Sequence, residues 1–189
     1  MKRTDCAALI AAHLAPDDII ICSLGSAGRA WRAQQAANPT YYGSDPMGMG
    51  PSLALGMALA QPRRRVTLIE GDGDLSMNLG VLLTIAGAAP ANLRIVVFQN
   101  GRYETGGGQA LPAGEMLSFG TIATGAGFHY GADAADAEQA NQRMTELFTA
   151  SGPGLIAVQV EPEASSYPAP PRWSQVEERS FFMKQLHGE

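Results

Sequence analysis

"LIEGDGDLSMNLG", residues 68–80, carries an apolar run into a lone carboxylate, Asp72, with a glycine on either side. The run "RVTLIE" reads as a buried strand, because it is apolar throughout rather than alternating. Residues 75–89 place Leu75, Leu79, Leu82 and Ala86 on one stripe at helical spacing, which predicts a helix. The next apolar run, "LRIVVFQ" (93–99), predicts another strand, and it ends in Asn100. Strand, helix and strand make one β-α-β unit, with Asp72 and Asn100 at its two strand tips.

The same alternation extends outward. "DIIICSL" (18–24) and "GLIAVQV" (154–160) predict buried strands, and "FHYG" a further one. Helices are expected from a Thr4 cap to about Leu14, across "GSAGRAWRAQQA", and over 52–60, 115–126 and 134–150. A terminal helix is expected at about 174–187, after the Pro-rich "YPAPPRW". Strands that alternate with helices predict a three-layer α/β/α fold with a central, mostly parallel sheet. At 189 residues the chain is expected to form one domain over 1–189.

Composition narrows the function. A net charge of −5 argues against nucleic acid as the main ligand. Cys6 and Cys22 lack Cys-x-x-Cys spacing, so a reducing cytoplasmic setting is expected, without a disulfide scaffold or zinc site. No run approaches the roughly 20 apolar residues that span a bilayer. His13 and Pro16 break the first apolar stretch, which reads as an amphipathic helix rather than a signal peptide. Arg63-Arg64-Arg65 reads as a solvated turn. His13, His129 and His187 lack metal-ligand spacing, and Gly25-x-x-Gly28 lacks a full dinucleotide fingerprint.

In an open parallel sheet, ligands bind beyond the carboxyl ends of the strands. Gly71 and Gly73 allow a sharp turn and close approach of the backbone to a ligand. The helix opening at Gly73 and Asp74 offers free N–H groups to an anion such as a phosphate. Asp72 would repel that anion unless a divalent cation lies between them. Tips of neighbouring strands are about 5 Å apart, so Asp72 and Asn100 could share one ion. Mg²⁺ takes an octahedron of oxygens. A carboxylate, an amide oxygen, a loop carbonyl, two phosphate oxygens and a water would complete it.

The stretch "GDGDLSMNLGVLLTIAGAAPANLRIVVFQNG" resembles the diphosphate-binding motif of thiamine diphosphate-dependent enzymes. That resemblance implies their diphosphate-domain fold, with thiamine diphosphate and Mg²⁺ as cofactors. It makes Asp72 and Asn100 side-chain metal ligands and gives Arg102 a role through its backbone carbonyl. Gly71, Gly73 and Asp74 would border the diphosphate. "GSDPMGMGPSLALGMALA" (43–60) resembles the family segment that bends the cofactor. Met47 would be the wedge and the Asp45 carbonyl an acceptor for the exocyclic amine, although many members have Gly at that position. "SLGSAG" matches the other phosphate-contacting loop, which implies Gly25 and Ser26. Outside this context, Met47 would read as a flexible core filler.

"NGRYETGGGQ" and the tail "RWSQVEERSFFMKQL" resemble the branch of decarboxylases acting on sulfopyruvate and phosphonopyruvate. The resemblance covers nearly the whole chain but only one of the family's two cofactor domains. It therefore implies a hetero-oligomer in which a pyrimidine-domain α-type subunit contributes the activating Glu. The implied substrate is a small anionic 2-oxo acid. Tyr103, Glu104, Thr105 and Gln109 are candidates for facing the reacting end, or are ordinary loop polarity. Arg29 and Arg32 either attract a sulfonate or phosphonate or form a solvated helix face.

Overall fold

A computed structural model describes residues 1–43, 46–114, 116–162 and 173–188. The first half of the chain contains α1 (Arg3–Ala12), β1 (Ile19–Cys22), α2 (Ser26–Arg32), β2 (Thr40–Tyr42), α3 (Gly50–Ala60) and β3 (Val66–Gly71). Next come α4 (Asp72–Ser76), α5 (Val81–Ala88), β4 (Leu93–Gln99), β5 (Arg102–Tyr103) and β6 (Gln109–Ala110), with a short 3₁₀ turn at Glu104–Gly106. The remainder is α6 (Phe119–Ala126), β7 (Tyr130–Ala134), α7 (Ala137–Thr149), β8 (Gly154–Gln159) and α8 (Gln175–His187).

The main sheet has six strands in the order β2-β1-β3-β4-β8-β7. Every pairing in it is parallel. β5 and β6 form a separate antiparallel ribbon. All seven residues of central β4 are buried, which is why that strand reads as an unbroken apolar run. Alternate side chains feed two cores. Ile19, Leu68, Ile95, Val97 and Leu155 meet α3, α5 and α6 on one face. Ile20, Ile69, Val96, Phe98 and Ile156 meet α1, α2 and α7 on the other. Each such buried side chain stabilises the fold by about 1.5–3 kcal/mol.

Several expected boundaries shift for local reasons. The helix expected at 75–89 is two helices, α4 and α5. Between them Asn78 donates its side-chain amide to the Gly48 carbonyl at 3.1 Å, and Met77 and Asn78 make turn-type bonds to Asp74 and Leu75. The stripe still holds, with Leu75 and Leu82 buried and Leu79 and Ala86 packed against the same core. Thr4 does not cap α1, whose cap position lies two residues earlier at Lys2. α6 starts only at Phe119, where Ser118 caps it by accepting the Thr121 N–H, and Asp136 caps α7 in the same way. α8 matches its expected span and opens on a Ser174–Glu177 capping box.

Thr40–Tyr42, to which no strand was assigned from the sequence, forms the edge strand β2. The arginine run lies in a turn with Arg63 exposed, as expected, but Arg64 and Arg65 are half-buried and bonded. Arg65 pairs with Asp18 at 2.6 Å and also donates to the His13 and Phe148 carbonyls. Arg64 donates to the carbonyls of Asp17 and Leu186. Among the described residues, no helix is long and apolar enough to cross a membrane.

Candidate functional site

Gly71 at the end of β3 pairs with Phe98 in β4, so the tips of these two strands adjoin. Asp72 lies in the junction and is only 2% exposed. One carboxylate oxygen, Oδ2, accepts the N–H groups of Asn100 (2.9 Å) and Gly101 (2.6 Å). The other, Oδ1, accepts the N–H of Gly73 at 2.8 Å. Burial raises the Asp72 pKa, and these backbone donors oppose that shift by favouring the anion. Asn100 turns its amide oxygen back onto the Arg102 N–H at 2.8 Å, which shapes the chain just past β4.

The two glycines beside Asp72 play unequal parts. Gly71 has an ordinary extended backbone with φ −95°, and a side chain there would meet nothing closer than 3.8 Å. Gly73 is different. An added Cβ would lie 2.8 Å from the Tyr103 ring and 3.4 Å from the Arg102 carbonyl oxygen. The second glycine is thus required by close approach of the 102–103 segment rather than by a sharp turn. It brings the Arg102 carbonyl to the tip that carries Asp72.

Asp74 is buried, and its Oδ1 accepts the N–H of Gly48. Gly48 has φ +84°, and a Cβ there would sit 2.8 Å from Asn78. Asp74 therefore anchors the loop that presents Met47. Gly25 also needs its left-handed backbone, φ +93°, and its Cα faces the Thr105 methyl.

One cleft at the carboxyl edge of the sheet collects these residues. Its walls include Gly25, Ser26, Met47, Gly71, Asp72, Gly73, Asp74, Asn100 and Arg102. Tyr103, Glu104 and Thr105 lie over it, while Leu24 and Phe98 add apolar surface. Every described residue expected to bind cofactor or metal therefore lines one cavity; Asp45 falls outside the described residues. Gln109 does not line it. Ribbon pairing opposite Tyr103 turns its side chain back toward Gly106 and Gly107.

Arg29 and Arg32 line a neighbouring cleft with Tyr42, Trp173 and Glu178. Arg29 is exposed. Arg32 pairs with Glu178 at 2.7 Å and stacks 3.6 Å over the Tyr42 ring, so its charge holds α8. His13 bonds the Leu9 carbonyl and the Thr145 hydroxyl, and His129 bonds the Ser151 carbonyl. Both are structural.

Two further charged groups stand at the site; Arg3 had no sequence signal, while Glu70, at the end of the apolar run beside Asp72, falls on the diphosphate side as the motif implies. Arg3, in α1, lines the cleft and pairs with Glu104. Glu70 is fully buried behind the cleft, where it accepts the Ser23 hydroxyl and its neighbour's Gly71 N–H. Burial, reinforced by nearby Asp74, pushes its carboxyl well above the usual range.

Asp72, the Asn100 amide and the Arg102 carbonyl give the cleft three kinds of oxygen donor on one edge. That is an incomplete shell for a hard cation, of the kind that phosphate oxygens and water complete. Among the described residues, no group of three or more His, Cys, Asp or Glu could hold a metal by itself. The donor set therefore fits a cation that arrives with a phosphate-bearing ligand.

A wholly parallel α/β sheet with an acidic, glycine-bordered cleft at its carboxyl edge defines a cofactor-binding domain of the open-sheet type. Residues 22–158 match the thiamine pyrophosphate enzyme family, in its C-terminal TPP binding domain, and the chain belongs to that family. The chain is 39% identical over 113 residues to sulfopyruvate decarboxylase subunit beta of Methanothermobacter thermautotrophicus, a match spanning 60% of each chain. It is 27% identical over 151 residues to phosphonopyruvate decarboxylase of Streptomyces viridochromogenes, covering 80% of this chain and 38% of that protein. A crystal structure of a putative thiamin diphosphate-dependent enzyme from Mycobacterium smegmatis shares the fold. Its TM-score is 0.68 at 20% identity, over 86% of this chain and 32% of that one.

Proposed function

We propose that the chain is the β-type subunit of a two-chain, thiamine diphosphate- and Mg²⁺-dependent decarboxylase that converts sulfopyruvate to sulfoacetaldehyde and CO₂. The observation that carries this reading is the Asp72 carboxylate bound to the N–H groups of Asn100 and Gly101 across two adjoining strand tips. Asp72, the Asn100 amide and the Arg102 carbonyl hold Mg²⁺. Gly25, Ser26, Gly71 and Gly73 border the diphosphate. Asp74 fixes the Gly48 backbone and so positions Met47 in the cleft wall, where it would pack against the bound cofactor. When bound, thiamine diphosphate supplies the carbanion chemistry and takes up the electron pair left by CO₂. Leu24, Phe98 and Met47 give the cleft apolar walls, which favour loss of charge from a carboxylate.

Among the described residues, no side chain takes the role of the activating acid. Glu70 lies behind the cleft wall, and Glu104 is occupied by Arg3. A pyrimidine-domain α-type subunit supplies that Glu, with the cofactor at the interface between the subunits. Two observations support a partner. The relative at 39% identity is named as a beta subunit, and Leu59, Leu83, Met77 and Met49 are exposed on or beside α3, α4 and α5. Phosphonopyruvate is the second reading for the substrate, supported by the match that covers 80% of this chain. The assignment as a catalytic subunit stands against a non-catalytic, cofactor-binding regulatory one.

The test is CO₂ release from sulfopyruvate and phosphonopyruvate with thiamine diphosphate and Mg²⁺, using the chain alone and with the polypeptide encoded beside it. Turnover of sulfopyruvate by the pair alone is expected. Robust turnover by the chain alone would refute the split site, and no turnover of either acid by the pair would refute the decarboxylase reading.

A further inference from the structure

Arg3 lies outside the residues 22–158 that match the cofactor-domain family, yet its side chain reaches the cleft. It is 1% exposed, and one nitrogen, Nη2, pairs with Glu104. The other, Nη1, is buried with no hydrogen-bond partner among the described residues. A guanidinium carries five donors in a rigid fork, and leaving one end unpaired away from water is costly. Arg3 shares its cavity with Gly25, Ser26, Asp72 and Asn100. Asp72 and Asp74 would otherwise leave that space acidic, so a bound anion needs cationic help besides the metal.

We propose that Arg3 is a diphosphate-binding residue: its free Nη1 end donates to a phosphate oxygen while Nη2 stays on Glu104. The proposal rests on the reading of this cleft as the diphosphate site. The Glu104 pair sets the plane of the guanidinium and ties the 103–105 segment over the bound anion. Loop and anion are then held by one side chain from α1.

The test is calorimetric titration of the chain, in complex with its partner subunit, with Mg²⁺ and either inorganic pyrophosphate or thiamine diphosphate. Arg3→Ala is expected to weaken both ligands by about 10- to 100-fold, the range of a charge-assisted bond. Arg3→Lys keeps the charge without the fork and should fall between Arg3→Ala and wild type. Glu104→Gln breaks the same ion pair from the other end. It removes a negative charge but loosens the guanidinium plane, two opposed effects, so binding should stay within roughly 3-fold of wild type, the scale of a partly screened charge. Equal losses in Arg3→Ala and Glu104→Gln would mean a clamp only and overturn the proposal. Wild-type affinity in Arg3→Ala, with Asp72→Ala inactive in binding, would overturn it while sparing the diphosphate reading. No pyrophosphate or thiamine diphosphate binding by the wild-type complex, or binding indifferent to Asp72→Ala, would overturn both.

Discussion

The two ends of the sheet handle their polar groups differently. At the amino end they close on one another. Asp18 accepts Arg65, and Asn92 donates to the carbonyls of Ala58, Gln61 and Arg64. Arg94 donates to Ala91, Leu93, Ala150 and Gly152, which leaves only its Nε unmet. At the carboxyl end, Asp72, Asp74 and Glu104 gather around a cavity with Glu70 behind its wall, and among the described residues the Arg3 Nη1 and the Glu70 Oε2 lack partners. Polar groups that close on one another stabilise the fold. Polar groups left open around a space await a ligand.

That contrast predicts which changes touch binding and which touch stability. Asp72→Ala should have the largest effect. Mg²⁺-dependent affinity for thiamine diphosphate should fall by at least ~100-fold, beyond the loss typical of outer-shell partners, with a smaller loss of stability from the three backbone N–H groups left unmet. Asp18→Ala should do the reverse. It leaves Arg65 half-buried without its acid, and should lower stability by about 2–4 kcal/mol with cofactor affinity preserved. Denaturant titration beside calorimetry separates the two. Gly73→Ala should sit between them, costing about 1–3 kcal/mol of overpacking and displacing the 102–103 segment, so it should weaken both properties.

The smallest effect concerns pH. The Glu70 pKa is raised in the folded state, so the folded protein holds a proton that the unfolded chain releases more readily. The associated stability is full below the ordinary Glu range and falls as pH rises through the raised value. Glu70→Gln, a neutral isostere, should flatten that decline in a urea series run from pH 5 to pH 9. An unchanged slope would mean that Glu70 is ionised where it lies.

Much of this was legible in the sequence because strand burial leaves a plain mark. β1, β3, β4 and β8 are apolar on both faces, and β4 was readable residue for residue. β2 was not, because its three residues follow Pro39 and only Thr40 is buried. The break between α4 and α5 was hidden by a leucine stripe that stays on one face across the turn at 77–80. At the site, the Asp72 and Asn100 pair followed from motif spacing. The reason for Gly73 did not, since it depends on where the Tyr103 ring comes to rest. Arg3 was invisible for the same reason: its partner, Glu104, lies 101 residues away. Gln109 misled because a polar loop residue carries no sign of which way a ribbon will turn it.

The most direct test of the central claim is a crystal structure of the chain, with its partner if needed, grown with thiamine diphosphate and Mn²⁺ in place of Mg²⁺. An anomalous difference map then locates the metal. The account predicts one peak within coordination distance of an Asp72 carboxylate oxygen, the Asn100 amide oxygen and the Arg102 carbonyl oxygen, bridged to the diphosphate. A diphosphate bound with its metal elsewhere, or with Asp72 still held only by backbone N–H groups, would contradict it.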